Sequence, residues 1–255
     1  MRILLYLCFP IYHISYDIYV VYCQFLSFLL MRNSTSNSNG AYDRILKAII
    51  SSELRPGDTV AEIQLAQKFG FGRTPVREAI MRLENEGFIV SSERKKRIHI
   101  LFPKDIEEIF QIKQSIESMV AFQASIKASV ENKKELADML VEMRSLNNEE
   151  GYQHDAYVQR WLELDADFHD LLFRIANNSR AGVIVNNLNL QFLRIKLGML
   201  VLEERVEKSV REHLEIGEAI YEGRKEDASR LMHNHLETVK QTIIALMNTF
   251  YHDSL

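Results

Sequence analysis

A chain of 255 residues, 47% hydrophobic and 26% charged, has the composition of an ordinary globular protein of one large or two modest domains. Its only two cysteines, Cys8 and Cys23, both lie in residues 1–30. This excludes a disulfide framework or a thiolate metal site from the body of the chain and fits a reducing, cytoplasmic compartment. The net charge of −4 hides an asymmetry: residues 41–102 carry 11 Lys+Arg against 8 Asp+Glu, a net of +3, whereas residues 103–255 carry 18 against 26, a net of −8. Only the first of these segments is prepared to meet phosphates.

Residues 1–30 are crowded with Ile, Leu, Phe and Tyr and hold no lysine, glutamate, alanine or glycine. Asp17, His13 and Pro10 interrupt the run a transmembrane helix needs. A signal peptide would want a basic start and a small-residue cleavage site, and neither is present. The favoured reading is a start assigned too far upstream, with Met31 the natural one; a membrane anchor is the alternative, and a membrane partner is not expected. Asn33 to Gly40 (NSTSNSNG) reads as a disordered linker, so residues 1–40 are set apart from the folded chain.

Residues 41–54 place Ile45, Ile49, Ile50 and Leu54 on one face of a helix that Pro56-Gly57 ends. Ala61 to Phe69 forms a second short amphipathic helix, and Gly70-Phe71-Gly72 a tight turn. In the next segment Val76, Ala79, Ile80 and Leu83 recur at helical spacing, while Arg73, Thr74, Arg77 and Met81 project from the other side. Pro75 is tolerated in a first turn, and Gly87 supplies the stop. Arg82 follows Glu78 by four residues, which predicts an intrahelical ion pair. Phe88 to Ser92 and Arg97 to Leu101 read as two short strands joined by Glu93-Arg94-Lys95-Lys96. Two helices about a glycine turn, a basic face on the second and a hairpin behind it make a winged helix-turn-helix over residues 41–102.

The run RPGDTVAEIQLAQKFGFGRTPVREAIMRLENEGFI resembles the DNA-binding domain of the GntR family of bacterial transcription regulators. The expected partner is a double-stranded DNA operator. Thr74 and the N–H groups at the recognition-helix terminus would meet phosphate, and Arg73 and Arg77 would reach a guanine edge or clamp phosphates. Arg94, Lys95, Lys96 and Arg97 of the wing would add salt-dependent affinity. Gly72 stands where the family usually has a serine, removing a capping hydroxyl, and the wing is denser in charge than usual.

Beyond Pro103-Lys104-Asp105 the chain reads as helix throughout, over 104–129, 133–148, 154–177, 180–206, 209–222 and 225–250. Asp165 and His169, four apart, share a helical face. His213 and His235 lie on successive helices, each about ten residues from the turn near Gly223, so antiparallel packing would bring them level. One carboxylate and three imidazoles make a candidate site for a divalent ion, with Zn2+ or Ni2+ favoured. His154, His233 and His252 read as solvated.

The pieces D-x3-H, "EH..I..AI..G...A" and "M..HL" resemble the FCD effector domain of the FadR-type branch of that family. The resemblance implies that residues 103–255 form a bundle of six or seven helices holding a metal, its coordination completed by a small organic acid. It also implies an effector contact at Lys113, where the family commonly has an arginine; Arg194 is a second candidate, with an outward ion pair equally open.

The expectation is therefore a mostly α protein: an N-terminal winged helix-turn-helix of three helices plus a small β-wing, then an all-α bundle. Its function would be transcription regulation by a homodimer on a pseudo-palindromic operator, with repression relieved by the acid. No catalytic residues are assigned. The alternatives are a membrane-tethered form of the same regulator and an all-α metal-dependent enzyme, against which stands the lack of H-E-x-x-H or G-x-S-x-G.

Overall fold

The structure is a computed structural model that describes residues 40–92, 95–146, 154–199 and 205–252. The expectations for the N-terminal run and for most of the linker lie outside these residues. The chain packs as two units: one ends at Phe102 and takes in Leu190–Arg194, and the other comprises Pro103–Asn189 and Ile195–Thr249.

In the first unit, α1 (Gly40–Ile50) buries Tyr42, Ile45, Leu46, Ile49 and Ile50. It stops four residues earlier than its apolar spacing predicts, because Ser51 and Ser52 turn the chain, Ser52 with φ 58. A turn closed by Arg55 N–H on Asp58 Oδ2 at 2.8 Å leads into β1 (Thr59–Val60). Helix α2 (Glu62–Phe69) ends on Gly70 at φ 72, a left-handed position that costs a residue without Cβ little. Helix α3 (Arg73–Asn85) then begins from Gly72, which makes no side-chain cap, and buries Val76, Ala79, Ile80 and Leu83.

Strands β2 (Ile89–Ser92) and β3 (Lys95–Ile98) form the wing hairpin, and β1 adds to the far side of β3 to give an antiparallel sheet ordered β1-β3-β2. Two expectations are corrected here. The second wing strand begins at Lys95 rather than Arg97, so Lys95 and Lys96, read as loop, lie in the ladder opposite Ser92 and Ser91. The two-residue β1 was too short to leave a periodic signal. The Arg82–Glu78 pair is also corrected: Arg82 Nε binds Glu86 Oε1 at 2.8 Å, and its guanidinium lies 3.8 Å over the Tyr42 ring. Tyr42 Oη donates to Glu86 Oε2 at 2.6 Å, so a tertiary contact chose which glutamate Arg82 meets.

The second unit is helical throughout its described residues: α4 (Pro103–Lys127), α5 (Val130–Leu146), α6 (His154–Ala176), α7 (Ser179–Met199), α8 (Arg205–Tyr221) and α9 (Lys225–His252). Pro103 starts α4, where its missing N–H has no intrahelical role. Ser129 and Asn132 cap α5 reciprocally, each backbone N–H meeting the other's side-chain oxygen at 3.2 Å. Asn178 Oδ1 accepts from Ala181 N–H at 3.1 Å and caps α7.

Helix α8 closes on Gly223 at φ 75, where Gly223 N–H bonds Ile220 O and Arg224 N–H bonds Ala219 O. This paired closure needs a left-handed residue and returns the chain directly as α9. Phe110, Val120, Trp161, Phe168, Val210, Ile216 and Ile243 lie within the core, each at most 2% exposed. Unusually for a core, the same buried faces also carry Lys113, Gln114, Glu117, Asp165, Arg205, His213 and His235. Buried polar groups require partners: Gln114 meets Glu237, and the others gather around the histidines.

Candidate functional site

The first candidate surface lies on α3. Its apolar residues face the core of the first unit, which leaves Arg73, Thr74 and Arg77 exposed on the opposite side. Arg77 makes only a loose pair with Glu62, Nε to Oε1 3.9 Å, with its side chain 69% exposed. Such a pair contributes little and does not hold the guanidinium back from another anion. On the wing, Lys95 is exposed, whereas Lys96 is tied to Glu84 and Arg97 Nη1 donates to Gly57 O at 3.0 Å. Arg94 lies outside the described residues.

The second site is in the helical unit. Helix α6 carries Asp165 and His169 one turn apart, α8 carries His213 and α9 carries His235. Apolar faces put them together: Trp161, Leu164, Phe168 and Leu172 of α6 are buried, as are Val210 and Ile216 of α8 and Met232, Leu236 and Val239 of α9. His213 is fully buried, His235 and Asp165 nearly so. One donor nitrogen from each of His169, His213 and His235 falls within 4.8 Å of the other two. His213 Nε2 lies 3.2 Å from His169 Nε2 and 3.4 Å from Asp165 Oδ1.

Two imidazoles have their Nδ1 hydrogen-bonded, and that of the third lies beside a carboxylate. His213 Nδ1 meets Ser209 O at 2.8 Å, His235 Nδ1 meets Glu212 Oε2 at 2.7 Å, and His169 Nδ1 lies 2.8 Å from Glu117 Oε2. An acceptor on Nδ1 fixes the tautomer and turns the Nε2 lone pair towards the centre, the usual outer arrangement of histidine metal sites. The two distances at His213 Nε2, 3.2 Å and 3.4 Å, fit as well. With metal–nitrogen bonds of about 2.0–2.1 Å, ligand atoms of a tetrahedral zinc stand about 3.3 Å apart. Trp161 and Phe168 present ring edges to His213, both with centroids at 4.9 Å, and wall the centre against solvent.

Burial pushes the His213 imidazole below its ordinary range, and that of His235 well below, so both favour the neutral form that a metal needs. Burial alone would raise the Glu117 carboxyl. The adjacent Lys113 charge and His169 outweigh it and hold the group at about 2.

Three of the four predicted metal ligands, His169, His213 and His235, thus converge, and Asp165 approaches them through His213. The predicted effector contacts are not equivalent. Lys113 is 4% exposed and its ammonium is engaged by Glu117 Oε1 at 2.5 Å and Asn189 Oδ1 at 2.6 Å, so it stands behind Glu117 as a counter-charge. The Arg194 side chain lies outside the described residues, as do those of His154 and His252. His233 is exposed.

Three neighbours went unread in the sequence. Glu117 sits one turn beyond Lys113 and Glu212 sits directly before His213, so either was findable as a buried-face carboxylate. Arg205 was not. The sequence pattern assigned it to the preceding helix, run to residue 206, whereas the structure has it in α8 on one face with Ser209 and His213 at four-residue steps. Arg205 is 6% exposed, and among the described residues its Nε, Nη1 and Nη2 make no hydrogen bond, Glu212 Oε2 lying 3.7 Å from Nη1.

Residues 108–238 match the FCD domain, and residues 37–99 match the bacterial regulatory proteins of the gntR family. The chain belongs to the GntR family, as a member with an FCD domain. As GntR relatives, it is 27% identical to the HTH-type transcriptional regulator YdhC of Bacillus subtilis, over 74% of this chain and 83% of that one. It is also 26% identical to the HTH-type transcriptional repressor RspR of Escherichia coli, over 83% of this chain and 91% of that one. Among solved structures, E. coli McbR/YncC shares the fold with a TM-score of 0.58 at 16% identity, covering 88% of this chain and 98% of the other. This GntR protein is a transcription regulator with a winged helix-turn-helix and a helical bundle. No helix among its described residues is long and apolar enough to cross a membrane.

Proposed function

We propose that this regulator is a metal-dependent sensor of a small organic acid whose binding changes operator affinity. Asp165, His169, His213 and His235 would hold Zn2+ or Ni2+, and the ion would supply a Lewis-acidic point for a carboxylate oxygen. The observation that carries this reading is the convergence of three imidazoles, two with Nδ1 hydrogen-bonded and the third with Nδ1 2.8 Å from Glu117 Oε2, which leaves Nε2 of each for the ion. A catalytic reading gains no comparable support, since the carboxylates nearest the histidines are engaged in orienting them.

Arg73, Thr74 and Arg77 of α3, with Lys95 of the wing, would meet the operator. A homodimer is the assembly that matches a pseudo-palindromic site. The relative RspR is named a repressor, which supports repression as the default state here. The acid must bind one arrangement of the protein better than the other for DNA affinity to change.

The test combines metal analysis of the wild type, Asp165→Ala and His213→Ala with binding to DNA of its own promoter region in the presence of organic acids. Near-stoichiometric metal in the wild type alone, with DNA binding altered by an acid, is the expected result. A metal-free wild type that binds DNA normally would overturn the sensor site.

A further inference from the structure

We propose that Arg205 is the second anchor of the effector, and that the effector is accordingly a short dicarboxylate, held at one end by the metal and at the other by this guanidinium. The inference rests on the metal reading above and adds the ligand class.

A guanidinium carries five N–H donors and stays charged. Burying one without hydrogen bonds is among the costlier arrangements a protein can make, and a native site that keeps one has a use for it. The 3.7 Å separation from Glu212 Oε2 is an ion pair without a hydrogen bond, so the planar fork remains available for a bidentate carboxylate. The group belongs to the metal centre by connection. Glu212 bonds His235 Nδ1, so one carboxylate links the guanidinium to a metal-facing ring, and Arg205 shares the α8 face of His213.

The other buried cation of the bundle does not compete for the ligand, because Lys113 is already held by Glu117 and Asn189. The guanidinium stands beyond the His235 ring with Glu212 between them, so an acid whose two carboxylates lie a few carbons apart suits the two anion-seeking points. A monocarboxylate satisfies one point and leaves the other bare. The alternative is that Arg205 only balances the charge of Asp165 and Glu212; that role would affect folding and metal retention and would show no preference between acids.

The chain's single tryptophan, Trp161, packs against His213, so its emission reports on the site. Zn2+-loaded full-length protein would be titrated with malonate, succinate and glutarate, and with butyrate as the monoacid. The expected result is that one diacid binds at least about tenfold tighter than butyrate. Arg205→Gln should bring the two classes to parity with zinc stoichiometry unchanged, and Arg205→Lys, which keeps the charge but loses the fork, should fall between. If Arg205→Gln does not fold, Arg205→Lys decides.

Equal binding of butyrate and every diacid by the wild type would overturn the inference while leaving the metal reading intact. So would a diacid preference that survives in the variants, or zinc loss as the sole effect of Arg205→Lys. A wild type that takes up no zinc would overturn the reading beneath it.

Discussion

Glu117 presents Oε2 to Nδ1 of His169 at 2.8 Å, from a side chain that is 2% exposed. Lys113 holds the other oxygen at 2.5 Å, so a buried ion pair orients the imidazole nearest to α4. Glu117→Gln keeps the size and removes the charge, and is expected to weaken zinc affinity by about 10–100-fold. Competition with a chromophoric chelator measures this; unchanged affinity would mean that the carboxylate does not support the metal. Lys113→Met leaves Glu117 uncompensated and should cost about 3 kcal/mol of folding stability, partly restored in the double variant with Glu117→Gln.

Metal removal should lower stability in proportion to affinity. A ligand present at about 1,000 times its Kd stabilises the folded state by about 4 kcal/mol. Chelation of the wild type is therefore expected to lower Tm by several degrees, with re-addition of Zn2+ restoring it. His213→Ala and His235→Ala should melt at the same temperature with and without zinc. A zinc-dependent Tm in either variant would place the ion elsewhere.

Acidification should destabilise the metal-free protein. The folded-state pKa values of His213 and His235 are depressed by burial below the ordinary 6.5, so the unfolded chain binds more protons than the native one in this range. Stability is then complete above about pH 6.5 and is lost as pH falls through the depressed folded values. Denaturant midpoints measured from pH 7.5 to 5 should fall in the wild type and fall less in His235→Gln. A flat wild-type profile would show that these imidazoles charge without penalty.

On the DNA side, exposure and engagement separate the basic residues. Arg77→Ala and Arg73→Ala should each weaken operator binding by roughly tenfold or more with little change in Tm, since both are exposed on α3. Lys95→Ala should lower the salt slope of binding by about one. Arg97→Ala should instead cost about 1 kcal/mol of stability, because its guanidinium holds Gly57 O across the turn before β1. Loss of DNA binding by Arg97→Ala at unchanged stability would reverse that assignment.

The reading head was legible in the sequence because it is local. The apolar spacing of Val76, Ala79, Ile80 and Leu83 and the glycine turn before them sit within a few helical turns, and short-range sterics set them. The spacing of Asp165 and His169, and the similar distances of His213 and His235 from Gly223, are facts of helical period of the same kind. The partner of Arg82 was not legible, since Glu78 and Glu86 are equidistant in sequence and only the Tyr42 hydroxyl, across the fold, distinguishes them.

The sequence by itself determined which residues can ligate a metal and which helix face offers arginines, because residue type and a 3.6-residue period suffice for both. The tertiary structure decided what surrounds those residues: Glu117 against His169, Glu212 against His235, Lys113 withdrawn behind Glu117, and Arg205 on the α8 face of His213. Helix ends and contacts between distant elements follow from packing across the whole bundle, and no local period encodes them.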